Sequence, residues 1–310
     1  MSLVPALLAL LPVTVLIALG LVLKRLPGFG SDEFWSGAEK LAYYCLLPVL
    51  LFTSVAEVDV AHVPVARLAV ALVIPTVVVS ISIVLSRRVI ARDLPAFTSV
   101  LQGGIRFNTY IGLSLAGSLF GSEGSAVAAI VAAILVPTVN IISSLGFEFL
   151  RTGPTSILAL LRAIVTNPLV LGCVAGGVAN ISGLGLPDPA AMILDPLAAA
   201  SLPIGLLCVG AGLRRFSFRT HAAAITSSTL IKLIVLPGLS LLMLAVFDVP
   251  TVAALVGMIF QAIATASSGY VMARQLGGDA KLMAALIAGQ TVVMLITLPV
   301  VLLLAHAALG

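Results

Sequence analysis

Apolar runs of similar length, separated by short polar punctuation, set the rhythm of this chain. Ten can be marked: Leu3–Leu23, Phe34–Val55, Val65–Ser86, Leu94–Phe120, Ser125–Phe149, Ile164–Ile181, Ala191–Leu213, His221–Phe247, Val252–Gln275 and Leu282–Ala305. A helix needs about 20 apolar residues to cross the hydrocarbon of a bilayer, and each run is near that length. The punctuation (Lys24-Arg25-Leu26-Pro27-Gly28, Arg87-Arg88, Arg151-Thr152-Gly153-Pro154, Arg214-Arg215 and Gly277-Gly278-Asp279) is loop chemistry. Hydrocarbon offers the backbone no hydrogen-bond partners, so spans are helices or a closed barrel, and no period-2 alternation suggests strands. The pattern predicts an all-α polytopic membrane protein of ten transmembrane helices.

Composition agrees. Of 310 residues 61% are hydrophobic and 9% charged, with a mean hydropathy of +1.24, whereas roughly a quarter of an ordinary soluble domain is charged. Ten spans and short loops use up the length, so a single membrane domain in contact with the lipid bilayer is expected. The net charge of +4 does not point to nucleic acid, because Lys and Arg lie in ones to threes between apolar runs and form no basic face. With the N-terminus outside and the span-end residues Lys40 and Arg162 left out, Lys24, Arg25, Arg87, Arg88, Arg92, Arg151, Arg214, Arg215, Arg219, Arg274 and Lys281 fall on the inner side, and Arg67 alone on the outer. The positive-inside rule then implies a multi-pass protein of the plasma (inner) membrane with both termini on the outer side. No positive residue precedes Leu3–Leu23 and no A-x-A-like site follows it, so it reads as the first span and not as a secretory signal. Cys45, Cys173 and Cys208 lie inside runs without a C-x-x-C, which indicates neither a disulfide framework nor a metal site.

The two halves resemble each other when slid by about half the length. Leu47-Pro48 falls on Leu202-Pro203; Phe120-Gly121-Ser122-Glu123 and Ala128-Ala129-Ile130-Val131 fall on Leu276-Gly277-Gly278-Asp279 and Ala284-Ala285-Leu286-Ile287; Gln102 falls near Gln261. Five spans per half is odd, so the second copy enters the membrane from the opposite side. Residues 1–150 and 151–310 are therefore expected to form two inverted five-helix repeats within one membrane domain, an arrangement typical of alternating-access carriers.

The fourth run is interrupted by Gln102-Gly103-Gly104-Ile105-Arg106-Phe107-Asn108-Thr109-Tyr110-Ile111-Gly112, and the ninth by Gln261-Ala262-Ile263-Ala264-Thr265-Ala266-Ser267-Ser268-Gly269-Tyr270. An arginine at a helix centre costs roughly 2.5–3.5 kcal/mol on insertion scales and faces a cavity or a partner. Gly103, Gly104 and Gly269 weaken the helix and mark the expected breaks. A broken helix exposes N–H donors on one half and carbonyls on the other, which suit an anionic group and a cation respectively. Two such helices crossing at the midplane build one site.

The fourth-run motif, the ten-span plan and the Leu-Pro pair of the second run resemble those of bacterial auxin efflux carrier family transporters. That resemblance covers nearly the whole chain. It implies an inverted five-plus-five fold with crossing fourth and ninth helices, and a scaffold with a mobile transport subdomain moving as an elevator. It further implies a homodimer, and small organic anions as substrates, carboxylates such as auxin, malate or malonate. The ninth run departs from plant members, which carry an Asn at the crossover where this chain has Ala264-Thr265-Ala266-Ser267.

Arg106 is the first choice as carboxylate partner, since its forked guanidinium matches two carboxylate oxygens; a structural tie to exposed carbonyls is the alternative. Gln102, Asn108, Thr109, Ser267 and Ser268 complete the expected polar lining, although mid-membrane Asn and Thr also bond neighbouring helices. Lys232, midway along the eighth run, needs a partner or a water path: it attracts the anion, stands in for a coupling cation, or caps broken-helix carbonyls. Asn140 and Gln290 lie at comparable depths of paired helices, where they either support the crossing or pack, and packing is the favoured reading. Glu39, Glu57, Glu123, Glu148, Asp195 and Asp279 fall at or near run ends, which leaves a buried carboxylate proton relay unsupported. No cofactor or metal is expected, and the coupling ion, Na+ or H+, is left open. Gly172 and Gly176 form a G-x-x-x-G, a feature of close helix packing and a candidate dimer face. An enzyme is not expected: His62, His221 and His306 lie far apart at run ends, and no H-E-x-x-H or G-x-S-x-G occurs. A channel also uses broken helices, but inverted repeats favour a carrier. A cation-coupled antiporter or symporter of similar fold is the closest rival.

Overall fold

The computed structural model describes residues 3–56, 63–91, 93–148, 165–166, 168–182, 186–213, 221–266 and 268–309. Among these residues there are helices and no strands. We number the main helices α1 (Leu3–Leu23), α2 (Asp32–Ala56), α3 (Val65–Leu85), α4 (Leu94–Ile105), α5 (Thr109–Glu148), α6 (Pro168–Ile181), α7 (Asp188–Gly212), α8 (Ala222–Val246), α9 (Thr251–Ala262), α10 (Ser268–Leu276) and α11 (Ala280–Leu309). Among the described residues, six stretches are long and apolar enough to cross a membrane: α2, α3, the α4–α5 stretch Leu94–Phe147, α7, α8 and α11. Leu10–Leu23, α6 and α9 are shorter apolar helices. Large apolar side chains such as Leu85, Ile181, Met192 and Ile296 point outward, as contact with lipid and not water requires. The chain is an all-α, membrane-embedded protein.

Glycines bring helix pairs into backbone contact. Gly20 and Gly210 do so between α1 and α7. Gly172 and Gly176 do so between α6 and α2, where an added Cβ would lie 2.6 Å from the Pro48 carbonyl oxygen and 2.6 Å from that of Phe52. Asn180 Nδ2 clips the same pair by donating to the Val55 and Ala56 carbonyls, each at 3.1 Å. The G-x-x-x-G of the sixth run is therefore filled within the chain, and no second subunit is needed to satisfy it.

Two π-turns interrupt α2 at Ala42–Leu46 and α8 at Ile231–Val235. Both are followed by a Leu-Pro pair, Leu47-Pro48 and Leu236-Pro237. A proline inside a helix lacks an N–H, and its ring meets the carbonyl four residues back. Widening the preceding turn relieves that contact, with Leu47 N–H bonding to Ala42 O and Leu236 N–H to Ile231 O. The π-turns carry Tyr43 and Lys232, both of which bear on the site.

The expected breaks are present, but the glycines are not in them. Gly103 and Gly104 are helical residues of α4, where an added Cβ would come within 2.6 Å of Ser228 Oγ and of Ile83 Cδ1 respectively. Both face side chains of neighbouring helices, and Gly269 is the second residue of α10. The chain leaves helix at Arg106 (φ −70°, ψ 159°) and at Ile263 (φ −89°, ψ 157°), both extended. The helix that follows each break ends at a glycine of positive φ: Gly121 (φ 61°), which divides α5 into 109–120 and 122–148, and Gly277 (φ 82°) before α11.

Candidate functional site

The two breaks touch. Asn108 N–H donates to the Ala264 carbonyl at 2.9 Å, so the extended segments cross. Backbone groups released by a break must find partners where no water reaches, and polar side chains supply them. Asn108 Oδ1 caps α5 by accepting from the N–H groups of Tyr110 (3.1 Å) and Ile111 (3.3 Å). Gln290 is a clip: its Oε1 accepts from Thr265 N–H at 3.0 Å and its Nε2 donates to the Gly103 carbonyl at 2.9 Å. Gln261 donates to the Leu72 carbonyl and Thr76 Oγ1, tying α9 to α3. Asn140 accepts from Arg106 Nη1 at 3.0 Å. Asn140 and Gln290, for which packing was the favoured reading from sequence, thus take the alternative role and support the crossing.

A cavity of about 360 Å³ opens against this crossing. One wall is the crossing itself, with Asn108, Thr109, Tyr110, Ala266, Ser268 and Met272; the other is α2, with Ser36, Glu39, Lys40, Tyr43, Tyr44 and Leu47. Asn108 to Tyr110 start α5, and Ser268 starts α10, so two helix N-termini border one cavity. Each brings the positive end of its helix dipole to the cavity.

Arg106 sits just behind that wall, 8% exposed. Nη2 donates to Ser268 Oγ at 3.0 Å; Nη1, besides Asn140, reaches Ser143 Oγ and Met272 Sδ at 3.5 Å. All these partners are neutral, and the buried Nε has none. Lys232 is fully buried and lies off the cavity: Nζ donates to the Phe260 carbonyl at 3.3 Å and stands 5.9 Å from the Phe107 ring centroid. Among the described residues no Asp or Glu is buried, so both cations lack a buried acidic partner.

Gln102 does not line the cavity. It is fully buried, and neither Oε1 nor Nε2 has a hydrogen-bond partner, although its backbone carbonyl accepts weakly from Thr265 Oγ1 at 3.5 Å. Of the other expected lining residues, Asn108, Thr109 and Ser268 do border the cavity, and Ser267 lies outside the described residues.

The α2 wall was missed by a reading that treated Glu39 and Lys40 as span-end residues. Yet Ser36, Glu39, Lys40, Tyr43 and Leu47 follow helical spacing, so four polar side chains share one face of an apolar run. That stripe was the available signal. An acid near a span end still reaches the cavity, because the helix begins at Asp32 and the cavity lies on this face.

Comparison of the chain with protein-family models gives no match, and comparison with curated proteins gives none.

Proposed function

We propose that this protein is a secondary carrier of small organic anions, carboxylates above all, working by alternating access. The observation that carries the proposal is a buried, acid-free guanidinium, Arg106, bonded to Ser268 on the wall of a cavity bordered by two helix N-termini. A cation taken out of water without a counter-charge is costly unless an anion joins it. The donors around the cavity point the same way: Arg106 Nε and Tyr110 Oη are buried without partners. A carboxylate resting on the starts of α5 and α10 would draw on both helix dipoles, with the guanidinium directly behind.

Ten spans in two inverted repeats, with scaffold and transport subdomains, are part of the same proposal. Breaks recur in both halves, and a glycine of positive φ follows each: Gly121 and Gly277, the very pair aligned by the sequence repeat. Helix pairing also exchanges as an inverted repeat requires. The first span packs on the seventh (α1 with α7) and the sixth on the second (α6 with α2). The cation-coupled alternative draws on the carbonyl ends of α4 and α9 at the same crossing, but Lys232 already bonds to Phe260 O at the end of α9.

The test is flux into proteoliposomes for a panel of radiolabelled mono- and dicarboxylates, with and without Na+ and pH gradients. Saturable carboxylate flux is expected. Cation flux indifferent to every carboxylate would favour the antiporter.

A further inference from the structure

The C-terminal ends of α4 and α9 both arrive at the crossing, and each presents carbonyl oxygens and the negative end of a helix dipole. The two ends are served differently. At α4, Gly103 O receives a neutral amide from Gln290. At α9, Phe260 O receives the ammonium of Lys232. Half-helix carbonyl ends at such midplane crossings are where carriers coordinate a coupling cation.

We propose that Lys232 is a tethered cation that permanently occupies the carbonyl end of α9, so that this end takes no free metal ion. This rests on the carrier reading of the crossing, but its test does not require knowing the substrate.

Four observations converge. Lys232 is fully buried, although lysine in hydrocarbon ordinarily reaches for the interface. It sits in the π-turn Ile231–Val235, a local widening set up by Pro237 that alters the helical register of the side chains there. Its one hydrogen bond in the described structure ends on a carbonyl of the last turn of α9. Finally, Phe107, next in sequence to Arg106, presents its ring to Nζ at 5.9 Å and packs edge-to-face on Phe260 with centroids 5.3 Å apart. A ring face stabilises an ammonium without neutralising it. The other elements packed on this turn, α4, α9 and α11, bring no buried Asp or Glu to it. Lys232 is thus a positioning residue: it acts through the α9 end and not on the anion directly, and Phe107 links it to the break that holds Arg106.

The experiment compares the full chain with Lys232→Met and Lys232→Arg in detergent, reading the apparent unfolding midpoint in NaCl and in choline chloride at equal ionic strength. Carboxylate uptake is read in the same two salts. Wild type and Lys232→Arg should give the same midpoint and flux in both. Lys232→Met should lose stability and at least 10-fold in flux in choline, and regain a substantial part of both in NaCl, because a free cation can then enter the vacated end. Lys232→Met matching wild type in choline would overturn the proposal, as would a loss that Na+, Li+ and K+ all fail to restore. Should Lys232→Met not fold, the wild-type arm still decides: a Na+ requirement in the wild type refutes a tethered cation. Because midpoints are read with no carboxylate present, a wrong substrate class leaves this result standing.

Discussion

Two glutamines at the crossing offer substitutions of the same size with opposite expected signs. Gln290→Leu removes the acceptor for Thr265 N–H and the donor to Gly103 O, leaving two buried backbone groups without those partners. Hydrogen bonds between membrane helices average about 0.6 kcal/mol each in double-mutant cycles, which sets a floor near 1 kcal/mol for the pair. An orphaned buried group costs about 1–3 kcal/mol, and with two of them the expected loss is about 2–4 kcal/mol after partial relaxation. Gln102→Leu instead removes two atoms that are already unpartnered and buried; it should be neutral or stabilise by about 1 kcal/mol. Thermal unfolding of the purified variants, followed by helix circular dichroism in one detergent at one scan rate, reads the order directly. Gln290→Leu should unfold below the wild type and Gln102→Leu at or above it. The hydrogen-bond account of the crossing fails if Gln290→Leu is as stable as the wild type, or if both leucines destabilise equally.

The remaining predictions concern packing and charge. Gly176→Leu forces a side chain against the Phe52 backbone and Val55, and overpacking of this kind costs about 1–3 kcal/mol or more; size-exclusion chromatography should show lost folded yield, not a shift between oligomeric states. Glu39→Gln removes a like charge from the α2 wall of an anion cavity. At the dielectric of a partly exposed site this is worth about 1 kcal/mol, so anion affinity measured by titration calorimetry should rise roughly five-fold, most for dicarboxylates.

Some helix positions were readable because hydrocarbon forces the backbone to satisfy itself within each run: the first run and α1 coincide at Leu3–Leu23, and Val65–Ser86 differs from α3 by one residue, whereas the ninth run, Val252–Gln275, is divided between two short helices, α9 and α10. The breaks were readable to within a few residues from Arg106, Asn108 and the small polar stretch after Gln261. Their chemical cause was not, since a glycine at a helix break and one inside a helix facing its neighbours' side chains look alike in sequence; Gly103 and Gly104 are of the second kind. The π-turns needed the Leu-Pro pairs to be read as backbone features, and Leu236-Pro237 was passed over. The partners of Asn140 and Gln290 lie on other helices, beyond what a one-dimensional pattern specifies. The α2 face was visible as a polar stripe, but only the fold reveals that Ser36, Glu39, Lys40 and Tyr43 look across a cavity at Ser268.

The most direct test of anion carriage at the crossing is radiolabelled carboxylate uptake by proteoliposomes holding wild type, Arg106→Lys or Arg106→Met, each verified as monodisperse. Loss of charge-assisted hydrogen bonds worth about 1.5–3 kcal/mol predicts a fall of roughly 10- to 100-fold for Arg106→Met. An intermediate rate is expected for Arg106→Lys, which keeps the charge but not the fork. Uptake by Arg106→Met equal to that of the wild type would contradict the account and leave Arg106 a tie between Asn140 and Ser268.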